Sequence, residues 1–190
     1  MIRFDRVKTG IFSLLFALLF ASASSQETVQ IQPPLMITSA GQSADAALVE
    51  VVLRRSGITS TLSELLDEDA LAESGARTLI VVLGGSQKGL GAAGINPEEE
   101  LARVNRILDW AQSNDMILVG VHVGGEGRRG PLSERFIVGT APRMDLLIVT
   151  AEGNADSYFT DVAASEGIEF VELADTFEVG PAMQGYLVNE

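Results

Sequence analysis

Cysteine is absent from this 190-residue chain, histidine and tryptophan each occur once, and aromatic residues make up only 6%. Without cysteine there is no disulfide, no thiolate metal site and no lipid-bearing cysteine behind a leader. One histidine and scattered acids do not form a ligand set, so no metal site is expected beyond a weak oxygen-liganded Ca²⁺ or Mg²⁺. The shortage of aromatics counts against a protein-interaction module, because such interfaces favour aromatic anchors. Basic residues are also scarce: 13 against 26 acidic ones give a net charge of −13. Nucleic acid is therefore not an expected partner, since neutralising phosphates requires a basic face.

Long apolar runs are missing except near the start. Arg3, Arg6 and Lys8 precede the apolar run Ile11 to Phe20, and Ala21-Ser22-Ala23 follows. A basic start, a short apolar stretch and a small-x-small site together predict a secretory signal peptide over residues 1–23, cut after Ala23. A membrane anchor is the competing reading, but Ile11 to Ala23 falls short of the roughly 20 apolar residues that span a bilayer. The expected product is an exported protein, periplasmic or extracellular, with no stable membrane span after cleavage. The leader contributes a net charge of +2, so the remaining 167 residues carry −15. That length suits one domain over residues 35–190, preceded by an extended lead-in over 24–34 that ends in Pro33-Pro34.

Within the domain, apolar runs rich in β-branched residues alternate with helical patterns. This predicts a three-layer, doubly wound α/β fold of the flavodoxin or Rossmann type, with a parallel sheet of five to six strands. The strands are expected at 35–38, 58–62, 78–83, 116–123, 146–150 and 168–173. Helices are expected near 43–56, 63–73, from Pro97 onward, 133–140, 156–166 and 181–188. Asn96-Pro97-Glu98-Glu99-Glu100 opens the longest of them, with Leu101, Val104, Ile107, Leu108 and Ala111 as its buried stripe and Arg103, Arg106 and Asp109 pointing elsewhere. Right-handed crossovers bring the loops after the first, third, fourth and fifth strands to one rim, where open α/β sheets bind ligands.

Those four loops carry the candidate site. The first holds Ser39, Gln42 and Ser43, with Ser43 open to the plainer role of a helix cap. The second, Gly84 to Gly94, has five glycines and two alanines in eleven residues and contributes Ser86, Lys88, Gly89 and Gly91. Gly89-Leu90-Gly91-Ala92-Ala93-Gly94 matches G-x-G-x-x-G literally, yet it neither follows the strand directly nor leads straight into the helix. Lys88 is misplaced for a P-loop. Neither a nicotinamide cofactor nor a P-loop nucleotide is supported, and the cofactor is left unknown.

The third loop places His122 at a strand end, followed by Arg128 and Arg129. The arginines suit a carboxylate or phosphate, or else pair with neighbouring acids such as Glu126 or Glu134. The fourth loop supplies Glu152 and Asn154, as hydrogen-bonding groups or as a turn.

The stretches Ile37 to Ser43, Gly84 to Gly91 and Gly124-Gly125-x-x-Arg128-Arg129-Gly130 resemble an uncharacterised bacterial family of exported α/β proteins, a domain of unknown function. The resemblance spans nearly all of the domain and implies no activity. From the residues themselves, the first expectation is binding of a small anionic molecule at the rim. The alternative is a hydrolase or transferase with His122 as acid or base beside rim serine, lysine and arginine groups. Against that alternative, Gly41-Gln42-Ser43 stands where some esterases carry Gly-Asp-Ser, and no Asp-x-x-His or G-x-S-x-G occurs.

Overall fold

A computed structural model describes residues 28–188. The expected signal peptide, the start of the lead-in and the last two residues lie outside the described residues.

Six parallel strands form one sheet in the order β2-β1-β3-β4-β5-β6. They are β1 (Leu35–Ala40), β2 (Ser60–Leu62), β3 (Thr78–Leu83), β4 (Ile117–His122), β5 (Leu146–Thr150) and β6 (Glu169–Leu173). Because both faces of the sheet are covered, the central strands are apolar at successive positions. Leu79, Val81 and Leu83 of β3 face one core, whereas Ile80 and Val82 face the other.

The first face packs α2 (Glu68–Ser74), α4 (Pro97–Ser113), α5 (Pro131–Thr140) and α6 (Tyr158–Glu166). The second packs α1 (Asp45–Arg55) and α7 (Val179–Gln184). This is the doubly wound three-layer arrangement expected from the sequence.

Several boundaries depart from the sequence reading. Helix α2 begins after Asp67, whose side chain accepts the Ala70 amide; the residues before it form a turn. The lead-in is part of the domain at its end: Ile31 is buried, donates its amide to Tyr186 and accepts that of Val188.

The largest departure lies between β3 and α4. The glycine-rich segment read as a loop contains a helix, α3 (Gln87–Ala93). Ser86 caps it by accepting the Gly89 amide at 3.0 Å, Leu90 anchors it in the core, and Gly94 ends it in the left-handed region.

Candidate binding site

All six strands run the same way, so the ends of β1, β3, β4 and β5 meet at one edge. Between β1 and β3 the strand order reverses, which is where crevices form in such sheets.

Here the two loops are stitched together. Gly84 donates its amide to Ala40 at 3.1 Å, and Ser86 donates to Gly41 at 2.8 Å. The Ser43 amide reaches Ser39 Oγ at 3.0 Å, and the Gly85 amide reaches Ser133 Oγ at 3.0 Å. The amides of Ser43, Gly84, Gly85 and Ser86 are thus occupied within the protein. Gly41, at φ +110°, has no room for a side chain: a Cβ would meet the Gly84 carbonyl and the Phe136 ring.

The Gly41 amide already holds an anion, Glu100 of α4. Its Oε1 accepts the Gly41 amide at 2.9 Å and Gln42 Nε2 at 3.0 Å. Arg103, expected to point away from the core, is only 7% exposed and pairs with Glu100, which is fully buried. Its guanidinium also donates to the carbonyls of Ser39 and Leu66, at 2.6 and 2.8 Å. A planar group with five donors suits this junction of β1, α2 and α4. Sequence reasoning missed this pair. The i, i+3 spacing of Glu100 and Arg103 beside Val104 was the available signal.

His122 lies in the core at 1% exposure, its ring stacked on Phe159 with centroids 5.3 Å apart. Nδ1 sits 2.8 Å from the Leu83 carbonyl. A carbonyl only accepts, so Nδ1 carries the proton and Nε2 presents a lone pair. That lone pair is buried against Gly153 without a hydrogen-bond partner. Burial pushes the His122 pKa below its ordinary value, the Arg129 cation adds to this, and the Leu83 hydrogen bond opposes it. His122 and Ser43 are both almost fully buried, at 1% and 2% exposure, so neither offers a rim substrate an open approach.

Arg129 bridges Glu134 and Asp156, donates to the Gly153 carbonyl, and lies 5.1 Å above the Phe159 ring. The pairing alternative therefore describes it. Arg128 makes a looser contact, 3.4 Å from Asp45. Ser43 donates to the same carboxylate at 2.5 Å and accepts the Asp45 amide at 3.2 Å. Asn154 is structural: Oδ1 accepts the Phe159 amide at 3.0 Å, and Nδ2 donates to Thr160 and Glu172. Glu152 is exposed and its carboxylate lies over Gly125.

Of the expected rim residues, Gln42, Ser86, Lys88, Gly89, Arg129 and Glu152 line two separate clefts, and Arg128 and Asn154 line neither. The larger, of about 610 Å³, is lined by Gln42, Ser86, Lys88 and Gly89 together with Ala44, Glu64, Leu65, Ala92 and Ala93. The smaller, of about 230 Å³, is lined by Glu126, Arg129, Glu152, Gly153, Ala155 and Asp156. Ser39 and Ser43 are buried and line neither cleft, and Gly91 faces open space.

Another cavity of about 510 Å³ opens at the opposite edge, before β5 and β6. Among the described residues it is walled by Asp145, Glu166 and Glu169 and by no cation, which does not suit an anion. Among the described residues no group of three or more His, Cys, Asp or Glu side chains could hold a metal ion. No described helix is long and apolar enough to cross a membrane.

Among solved structures the chain is similar to a psychrotrophic esterase, EstA, from Pseudoalteromonas sp., at 9% identity and a TM-score of 0.34 over 81% of this chain and 94% of that one. A GDSL-like lipase from Bacteroides thetaiotaomicron gives 7% identity and a TM-score of 0.33, over 73% and 66% of the two chains. AlinE4, an SGNH-hydrolase family esterase, gives 15% and 0.32, over 77% of each. Likenesses at these scores support no statement about activity. No curated protein matches the chain. Residues 32–187 match the family described as "Domain of unknown function (DUF6305)", and the chain belongs to that family.

Proposed function

We propose that this domain is an exported binding protein for a small anionic molecule, bearing a carboxylate or phosphate, held in the larger rim cleft. Lys88 carries the reading. Arg128 and Arg129 on the same edge have acidic partners, whereas Lys88 is exposed on the cleft wall and has no ion-pair partner among the described residues. Lys88 is a cation without an ion pair on a concave wall that it shares with Glu64, in a chain of net charge −13. Ser86 is the nearby polar group that helps orient a ligand, although its hydroxyl also accepts the Gly89 amide.

The test is thermal unfolding of the purified protein in rising inorganic phosphate or acetate. The reading expects a concentration-dependent rise in Tm that Lys88→Gln removes and Arg77→Gln, at the opposite edge, retains. A rise that survives Lys88→Gln places the anion elsewhere and overturns the assignment.

A hydrolase or transferase is the second reading, favoured by the 2.5 Å contact between the Ser43 hydroxyl and the Asp45 carboxylate. Ser43 Oγ would bond to the acyl carbon of an ester as its proton passes to Asp45, and the ester C–O bond would break to release the alcohol or phenol, which requires the rim to open over the buried Ser43. Turnover of p-nitrophenyl acetate lost in Ser43→Ala supports it; turnover unchanged by that substitution removes it.

A further inference from the structure

Leu65 is 48% exposed, while its neighbour Leu66 is 1% exposed. The backbone around Leu65 is pinned on both sides. The Ser63 amide donates to Ile37 at 2.9 Å, the Glu64 carbonyl accepts Gln42 Nε2 at 2.9 Å, and the Leu66 carbonyl accepts Arg103 at 2.8 Å. These bonds hold Leu65 out into the cleft instead of letting it fold back onto the core. An apolar side chain fixed in water costs solvation free energy that a ligand recovers by covering it.

The other wall is α3. Lys88 and Ala92 lie four residues apart on it and therefore share a face, with Ala93 next to them on the cleft lining. A charge at one end and methyl groups at the other describe a polar-to-apolar axis along the cleft. Glu64 also lines it, so its wall carries one cation and one carboxylate. Among the described residues no second cation lines the cleft for a dianion, and the rim arginines are held elsewhere, Arg128 by Asp45 and Arg129 by Glu134 and Asp156.

From this arrangement we infer that the cleft takes an amphipathic monoanion, a carboxylate on an aliphatic tail, with its head at Lys88 and its tail on Leu65 and Ala92. This rests on the anion-binding reading above and narrows it to one ligand class.

Calorimetric titration of the purified protein with octanoate, inorganic phosphate and octan-1-ol separates the contributions of tail and charge. Octanoate is expected to bind at least about tenfold more tightly than either of the others. Leu65→Ser, at an exposed position where the fold is expected to hold and an unchanged Tm checks it, is expected to weaken octanoate about tenfold and leave phosphate unaltered. Lys88→Gln is expected to weaken both anions. Phosphate binding as tightly as octanoate, or octanoate binding indifferent to Leu65→Ser, overturns the inference and leaves anion binding standing. Octan-1-ol matching octanoate overturns the inference by removing the charge from recognition. If neither anion binds, the underlying reading fails, and the inference with it.

Discussion

The Glu100 carboxylate accepts the Gly41 amide at 2.9 Å across 59 positions of sequence, so the turn after β1 closes on an anion supplied by the protein itself. The same oxygen holds Gln42, whose φ of +57° is uncommon for a residue with a side chain. One buried carboxylate thus sets the shape of the wall between β1 and the larger cleft.

Glu100→Gln keeps the shape and leaves the Arg103 charge buried without its counter-ion. Removing one member of a buried pair costs about 3–5 kcal/mol. Urea unfolding is expected to show a loss of that order, and a change under about 1 kcal/mol would mean that the pair is not the clamp described here.

Two glycines of α3 make a contrasting pair. A Cβ at Gly89 would collide with the backbone carbonyl of Gln42, whereas one at Gly91 meets nothing within 4 Å. Gly89→Ala is expected to destabilise by about 1–3 kcal/mol through overpacking. Gly91→Ala is expected to stabilise by about 0.4–1 kcal/mol, because it restricts the unfolded chain and favours the helix. Unfolding midpoints of the two variants should move in opposite directions, and movement in the same direction would contradict this packing of α3 on the β1 loop.

His122 predicts a pH dependence. Its folded pKa is depressed by burial, so near and below the ordinary histidine value of about 6.5 the unfolded chain binds more protons than the folded one. Stability contributed by neutral His122 is complete above that value and falls as the pH drops through it. His122→Asn, which retains a donor for the Leu83 carbonyl, is expected to flatten that slope in denaturation measured from pH 7.5 to 5. An unchanged slope would assign the effect to other groups.

The strands were the most legible part of the sequence. Thr78–Leu83 and Leu146–Thr150 stand as expected, because unbroken β-branched runs suit strands covered on both faces. The start of α4 was equally plain, since Asn96 and Glu99 form a reciprocal cap. Helix α3 was hidden, because glycine content argued for a loop while a serine cap and one buried leucine decided for a helix.

The site was legible as an edge and not as a constellation. Topology brought the four loop regions together, but Arg129 and Asn154 turned inward to local partners, and Lys88 remained exposed on a helix. Arg103 reads as pointing away from the core, and Glu100 as part of the opening turn of its helix, because their partners Ser39 and Gly41 lie about sixty residues away.

The most direct test of the binding account is a map of amide chemical shifts in isotope-labelled protein during titration with octanoate. The account predicts perturbations at Ala44, Leu65, Ser86, Lys88 and Gly89, saturating together, and needing a higher octanoate concentration in Lys88→Gln. Shifts confined to Glu126, Arg129 and Glu152 to Asp156, or no saturable shifts at all, would contradict it.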